Sequence, residues 1–150
     1  MYTLRKSMMS IGLLTAMLLG VASIAIAQPD PIEGVWYNDK QDAKIRIYKN
    51  TDGKFYGQII WLKEPLKEGK AKLDEKNPNS NLQTQPIVGK IILKGCEKDG
   101  DTYDDGTIYD PENGKTYDCT LKLKSRNLLS LRGYVGFSLF GRTTQWMRTI

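Results

Sequence analysis

From residue 34 onward, apolar and polar positions alternate with a period of two through most of the chain. That spacing predicts β-strands, because successive side chains of a strand point to opposite faces. Residues 43–49 are the cleanest case, with Ile45 and Ile47 on one face and Lys44, Arg46 and Tyr48 on the other. A short strand over 34–37 precedes them. Asn50-Thr51-Asp52-Gly53 carries the Asp-Gly hairpin signal, and 54–62 returns with Phe55, Gly57, Ile59 and Trp61 on one face. A strand over 87–93 is predicted to place Ile87, Gly89, Ile91 and Leu93 inward. Further strands fall at 103–109, 115–124, 128–135 and 142–148. Between the first two of these, Asp110 can bond its own backbone, Pro111 fixes φ, and Gly114 supplies a positive φ where the chain re-enters a strand.

Two stretches break the alternation. Residues 63–86 mix charges with Pro65, Pro78 and Pro86 and an Asn77-Pro78-Asn79-Ser80-Asn81 cluster. They read as a long surface loop with at most one helical turn, and a loop of that length in a compact domain is the best candidate for a lid. Near the end, Gly136 and Gly141 flank a short apolar link containing Phe137, Leu139 and Phe140. No helix of ordinary length is predicted beyond the N-terminal segment. About eight short strands joined mainly by tight turns make an all-β, up-and-down antiparallel meander. Closing it into a single barrel removes the exposed edges and leaves room for side chains or one small ligand. An open sandwich is the alternative.

The N-terminus has a different pattern. Arg5 and Lys6 precede a mostly apolar run, and Ala25-Ile26-Ala27 is a small-x-small cleavage site. Residues 1–27 therefore read as a signal peptide and 28–150 as one exported domain, periplasmic or secreted, with no membrane insertion of the mature part. Removing Arg5 and Lys6 from 22 basic residues leaves 20 against 17 acids, a net charge of +3 that is too mild for nucleic acid. Residues 97–118 hold eight acids and two lysines, whereas 122–150 hold six basic residues and no acid, a segregation read as pairing between neighbouring strands. The mature domain is expected to be a monomer.

The composition also limits the chemistry. There is no histidine, which removes His-based triads and His metal sites. No cofactor or metal is expected. Asp99, Asp101, Asp104 and Asp105 miss the spacing of a calcium loop and read as a solvated turn. Cys96 and Cys119 are the only cysteines. Export favours a disulfide between them, but strand parity opposes it. Cys96 shares parity with Lys90 and Lys94, Cys119 with Leu121 and Leu123, and the predicted strand 103–109 lies between. Trp36, Trp61, Tyr109 and Trp146 are candidates to line a ligand cavity, although aromatic rings are also ordinary barrel filling. Arg142, Thr144, Trp146 and Arg148 share a face; if it points inward, the interior suits an anionic head group. Asp74 and Asn77 are candidates in the long loop, where no apolar neighbour explains them. An Asx turn before Pro78 is the structural reading.

Several segments taken in order resemble a family of exported bacterial proteins, the domain of unknown function 2147. They are Gly34-Val35-Trp36, Tyr56-Gly57, Asp74-x-x-Asn77-Pro78, Gly89, Gly106-x-Ile108-Tyr109-Asp110-Pro111-x-Asn113-Gly114-Lys115-x-Tyr117, Leu131-Arg132-Gly133-Tyr134 and Trp146-x-Arg148. The resemblance implies a lipocalin-like barrel and brings no catalytic residues. In the wider lipocalin group a first-strand tryptophan packs beneath a last-strand arginine. Trp36 and Arg148 are the matching positions, with Arg142 as the competitor, and a guanidinium over an indole gains cation–π energy.

Three functions follow in order of preference. The first is non-enzymatic binding of a small, partly apolar or anionic ligand inside the barrel. The second is an envelope module binding a protein or cell-wall polymer through loop 63–86. The third is a carboxylate-based hydrolase, for which no acid pair can be placed from spacing. The reading leans against an enzyme.

Overall fold

The computed structural model describes residues 28–149. The expected signal peptide at 1–27 lies outside them. Eight strands close into one antiparallel barrel: β1 (Gly34–Tyr37), β2 (Ala43–Lys49), β3 (Phe55–Leu62), β6 (Ile91–Asp99), β7 (Thr102–Asp110), β8 (Lys115–Ser125), β9 (Leu128–Tyr134) and β10 (Gly141–Arg148). The order around the barrel is β1-β10-β9-β8-β7-β6-β3-β2. Two-residue strands β4 (Leu66–Lys67) and β5 (Lys70–Ala71) form a small hairpin inside the long loop. The closed barrel expected from the sequence is what forms, rather than the alternative open sandwich.

The two ends of the barrel differ. At one end the interior is filled by Trp36, Ile47, Phe55, Tyr103, Leu121 and Leu129, all buried. The turn before β1 lies across this end and buries Ile32, whose carbonyl accepts from Trp36 Nε1 at 2.9 Å. Tyr103 donates to Asp30, and Lys98 reaches the same carboxylate at 2.6 Å. The Arg148 guanidinium lies 4.1 Å from the centre of a Trp36 ring. It donates to the carbonyls of Glu33 at 2.8 Å, Pro31 at 2.5 Å and Arg126 at 2.8 Å. Arg148, not Arg142, is therefore the tryptophan's partner. Gly34 makes the arrangement possible, since a Cβ there would collide with the guanidinium.

Bulges overturn three expectations of facing, because one extra residue in a strand flips all that follow. Strand β6 begins at Ile91 rather than Ile87. Gly89 and Gly95 hold φ of 95° and 73°, and the register with β3 shifts. Ile91 is exposed, while Ile92, Leu93 and Cys96 are buried. The register between β2 and β3 slips at Lys44 and Ile45, which turns Trp61 out to stand edge-on to Tyr37 beneath Lys44. Cys96 faces inward, not outward. It and Cys119 are buried free thiols that meet across Gly106. That glycine pairs with Cys119 in the sheet, and a side chain there would strike Cys96 Sγ.

Two stability measurements check this packing. Gly106→Ala should lower stability by about 1–3 kcal/mol by overfilling the core, read as the urea midpoint; an unchanged midpoint would mean that Cys96 yields without cost. Arg148→Met should destabilise, and less so in a Trp36→Phe background, with a coupling of about 0.5–2 kcal/mol in a double-mutant cycle. Additive effects would show that the guanidinium–indole contact contributes nothing.

Candidate functional site

The opposite end of the barrel is open. It is framed by the β1–β2 turn, the loop between β3 and β6, the β7–β8 turn and the β9–β10 hairpin. Within it lies a cavity of about 1200 Å³. Its apolar wall comes from inward positions of six strands, including Ile45, Ile59, Ile92, Ile108, Leu131 and Trp146. These are the same alternating positions that fill the closed end, but here no element crosses the barrel to cover them. Hence the cavity follows from topology: one end has a plug and the other does not.

One side of the mouth is fixed by a buried polar cluster. Asp74 is fully buried. Its carboxylate accepts from Tyr109 at 2.6 Å and Asn77 Nδ2 at 2.6 Å, and pairs with Lys90 Nζ at 2.8 Å. Burial alone pushes the Asp74 carboxyl up; the bonds from Lys90, Tyr109 and Asn77, with the lysine charge, outweigh it and hold the group below its ordinary value. Burial and the same carboxylate push the Tyr109 hydroxyl well above its ordinary value. The Tyr109 hydroxyl is the donor in its bond to Asp74. Asn77 Oδ1 accepts from Asn79 N at 2.9 Å, the Asx turn expected before Pro78. The loop is held at a second place, where Lys76 Nζ donates to the Glu112 carbonyl at 2.6 Å. There the Lys76 backbone lies so close to Gly114 (φ 73°) that a Cβ would not fit.

The rim carries charges of both signs. Lys40 pairs with Glu112 at 2.6 Å, Lys67 with Glu75 at 2.7 Å and Arg142 with Asp39 at 3.8 Å. Lys63 and Lys72 also line the mouth and, among the described residues, form no ion pair. Of the aromatic and basic candidates, Tyr109, Arg142 and Trp146 line the cavity. Trp36 and Arg148 sit at the closed end, and Trp61 lies on the outer surface. Asp74 and Asn77 act on the loop rather than on the cavity. Sequence reasoning missed the apolar wall itself and the two rim lysines; the alternation that set Ile59 on one face of its strand was the available signal. Among the described residues, no group of three or more acidic or cysteine side chains is arranged to hold a metal.

Three comparisons bear on this geometry. A family model described as "uncharacterized protein conserved in bacteria (DUF2147)" matches residues 34–148. Among solved structures, protein HP1028 from the human pathogen Helicobacter pylori, described as belonging to the lipocalin family, superposes with a TM-score of 0.68 at 25% identity. The match covers 79% of this chain and 82% of that one. No curated protein matches.

The Asp74 cluster sets an acid limit on the site. Its folded pKa lies below the ordinary value of 3.8, so its stabilisation is complete above that pH and is lost as pH falls through the folded value. Asp74→Asn would leave the Lys90 ammonium buried without its counter-charge, at a cost of about 3–5 kcal/mol. Urea titrations should show that cost at pH 7 and a shallower loss of stability below pH ~4 than in the parent. Equal acid slopes would assign the acid sensitivity to other carboxylates, Asp30 first.

Proposed function

The chain belongs to the DUF2147 family of bacterial proteins, and from that premise we propose that it is a non-enzymatic binding protein for a small amphiphile. The apolar body of the ligand enters the open end of the barrel, and an anionic head stays at the rim beside Lys63 and Lys72. The observation that carries this reading is the cavity of about 1200 Å³ walled by Ile59, Ile92, Ile108, Leu131 and Trp146. Ligand sites are concave and mainly apolar with a few placed polar groups, and they run from roughly 300 to 1,000 Å³. A barrel packed solid with its own side chains would leave no such space.

The polar groups at the mouth favour binding over catalysis. Asp74 is saturated by three donors, and Tyr109 is held as a donor by the same carboxylate. Neither presents a free base to the cavity, and the rim acids Glu75 and Glu112 are engaged with lysines. The lipocalin family named for the Helicobacter pylori neighbour is compatible with a small ligand in the barrel. The leader-like pattern of Arg5, Lys6 and Ala25-Ile26-Ala27 supports placing this activity in the periplasm or outside the cell.

An anilinonaphthalene sulfonate dye, apolar with one anionic group, is a suitable probe. Its fluorescence should rise on binding, and Leu131→Trp should weaken binding by about tenfold or more, equivalent to ~1.4 kcal/mol, by filling the cavity. Unchanged affinity in a folded Leu131→Trp variant would place the dye elsewhere and remove the support for a ligand site in the barrel.

A further inference from the structure

The β9–β10 hairpin ends in the most exposed apolar group of the described residues. Val135, Phe137, Leu139 and Phe140 are 71%, 78%, 79% and 77% exposed. Single exposed apolar residues are common, but four on one hairpin tip mark an interaction site. Arg132 holds the tip in shape, donating from Nε to the Ser138 carbonyl at 2.6 Å, from one terminal nitrogen to the Leu139 carbonyl at 3.1 Å and from the other to Thr143 Oγ1 at 2.9 Å. The turn Ser138–Phe140 is a single 3-10 turn. The apolar side chains are thus presented outward by a fixed backbone.

Position and charge identify the partner. Val135 and Phe140 also line the mouth of the cavity, so whatever covers the tip faces the opening. Arg132 and Arg142 stand at its base, and Arg142, 3.8 Å from Asp39, still has 82% of its side chain exposed. No acid occurs anywhere between residues 119 and 150. A small convex apolar wedge flanked by arginines complements the boundary between acyl chains and headgroups of a negatively charged bilayer. It is a poor match for a second copy of the chain, because a stable protein interface engages roughly 20–30 residues a side.

We propose that the β9–β10 tip docks the open end of the barrel onto the surface of an anionic lipid bilayer. Phe137 and Leu139 enter the headgroup–acyl boundary, and Arg142 at the base of the tip meets a lipid phosphate. The mouth then faces the membrane, and an amphiphile can pass between bilayer and cavity without crossing bulk water. That last step rests on the ligand-binding reading above; the docking itself does not.

Vesicle co-sedimentation tests the docking, using residues 28–150, which contain the whole closed barrel. The chain should bind vesicles of phosphatidylethanolamine with phosphatidylglycerol, bind phosphatidylethanolamine alone less, and lose affinity as salt is raised. Phe137→Ser with Leu139→Ser should weaken vesicle binding by about tenfold, with an unchanged melting temperature and unchanged dye affinity in the absence of vesicles. Failure of the parent chain to bind either vesicle, or equal binding by the double variant, overturns the proposal. So does a shift from dimer to monomer in the double variant, which would assign the tip to self-association. A parent chain that binds the dye but neither vesicle refutes the docking alone. Conversely, docking that persists when dye binding proves insensitive to Leu131→Trp refutes the cavity reading alone.

Discussion

Closure of the barrel depends on one short seam. Strands β1 and β10 face each other over only two residue pairs, Trp36 with Arg148 and Tyr37 with Met147, whereas β9 and β10 pair over seven. So short a ladder brings few backbone bonds. The Arg148 guanidinium supplies what the ladder lacks: it lies on the indole of Trp36 and gathers three carbonyls, from the plug before β1 and from the β8–β9 turn. Charged donors to carbonyls contribute more than neutral ones. One side chain therefore joins the first strand, the last strand and the plug, and the closed end of the barrel forms around it.

The open end is organised by a different charge. Asp74 is carried on a loop, yet it is buried against Lys90 and Tyr109, next to the β6 strand and on the β7 wall. A buried carboxylate needs compensation for lost hydration, and its three partners provide it. The loop is thereby held at the side of the mouth instead of across it. Its outer part, the β4–β5 hairpin, is exposed. An anchored base with an exposed tip keeps the cavity open without leaving the loop unattached.

Local physics made much of this visible in the sequence. The alternation at 43–49 and the Asp-Gly turn at 52–53 require no distant partner, and Gly114 was marked by the turn that precedes it. What alternation cannot register is a bulge. Trp61 and Cys96 each lie beyond a register slip, and parity read from residues before the slip gives the opposite face. Gly89 and Gly95 were the visible hints in that segment, since a glycine inside a strand commonly marks a bulge. The Asp74 cluster was beyond local reasoning, because Tyr109 lies 35 positions away. Gly34 was legible as part of a pattern with Trp36, but its reason, room for a guanidinium, exists only once the barrel closes.

The contrast between a plugged and an unplugged end has a consequence for how the molecule fluctuates. Residues with dense apolar surroundings open only with the whole fold, whereas segments bordering a cavity can open on their own at smaller free energy. Resistance to local unfolding should therefore decline along the barrel axis, from the indole of Trp36 toward the rim. The cylinder is graded, stiff where the strands are tied together and compliant where a guest would have to enter.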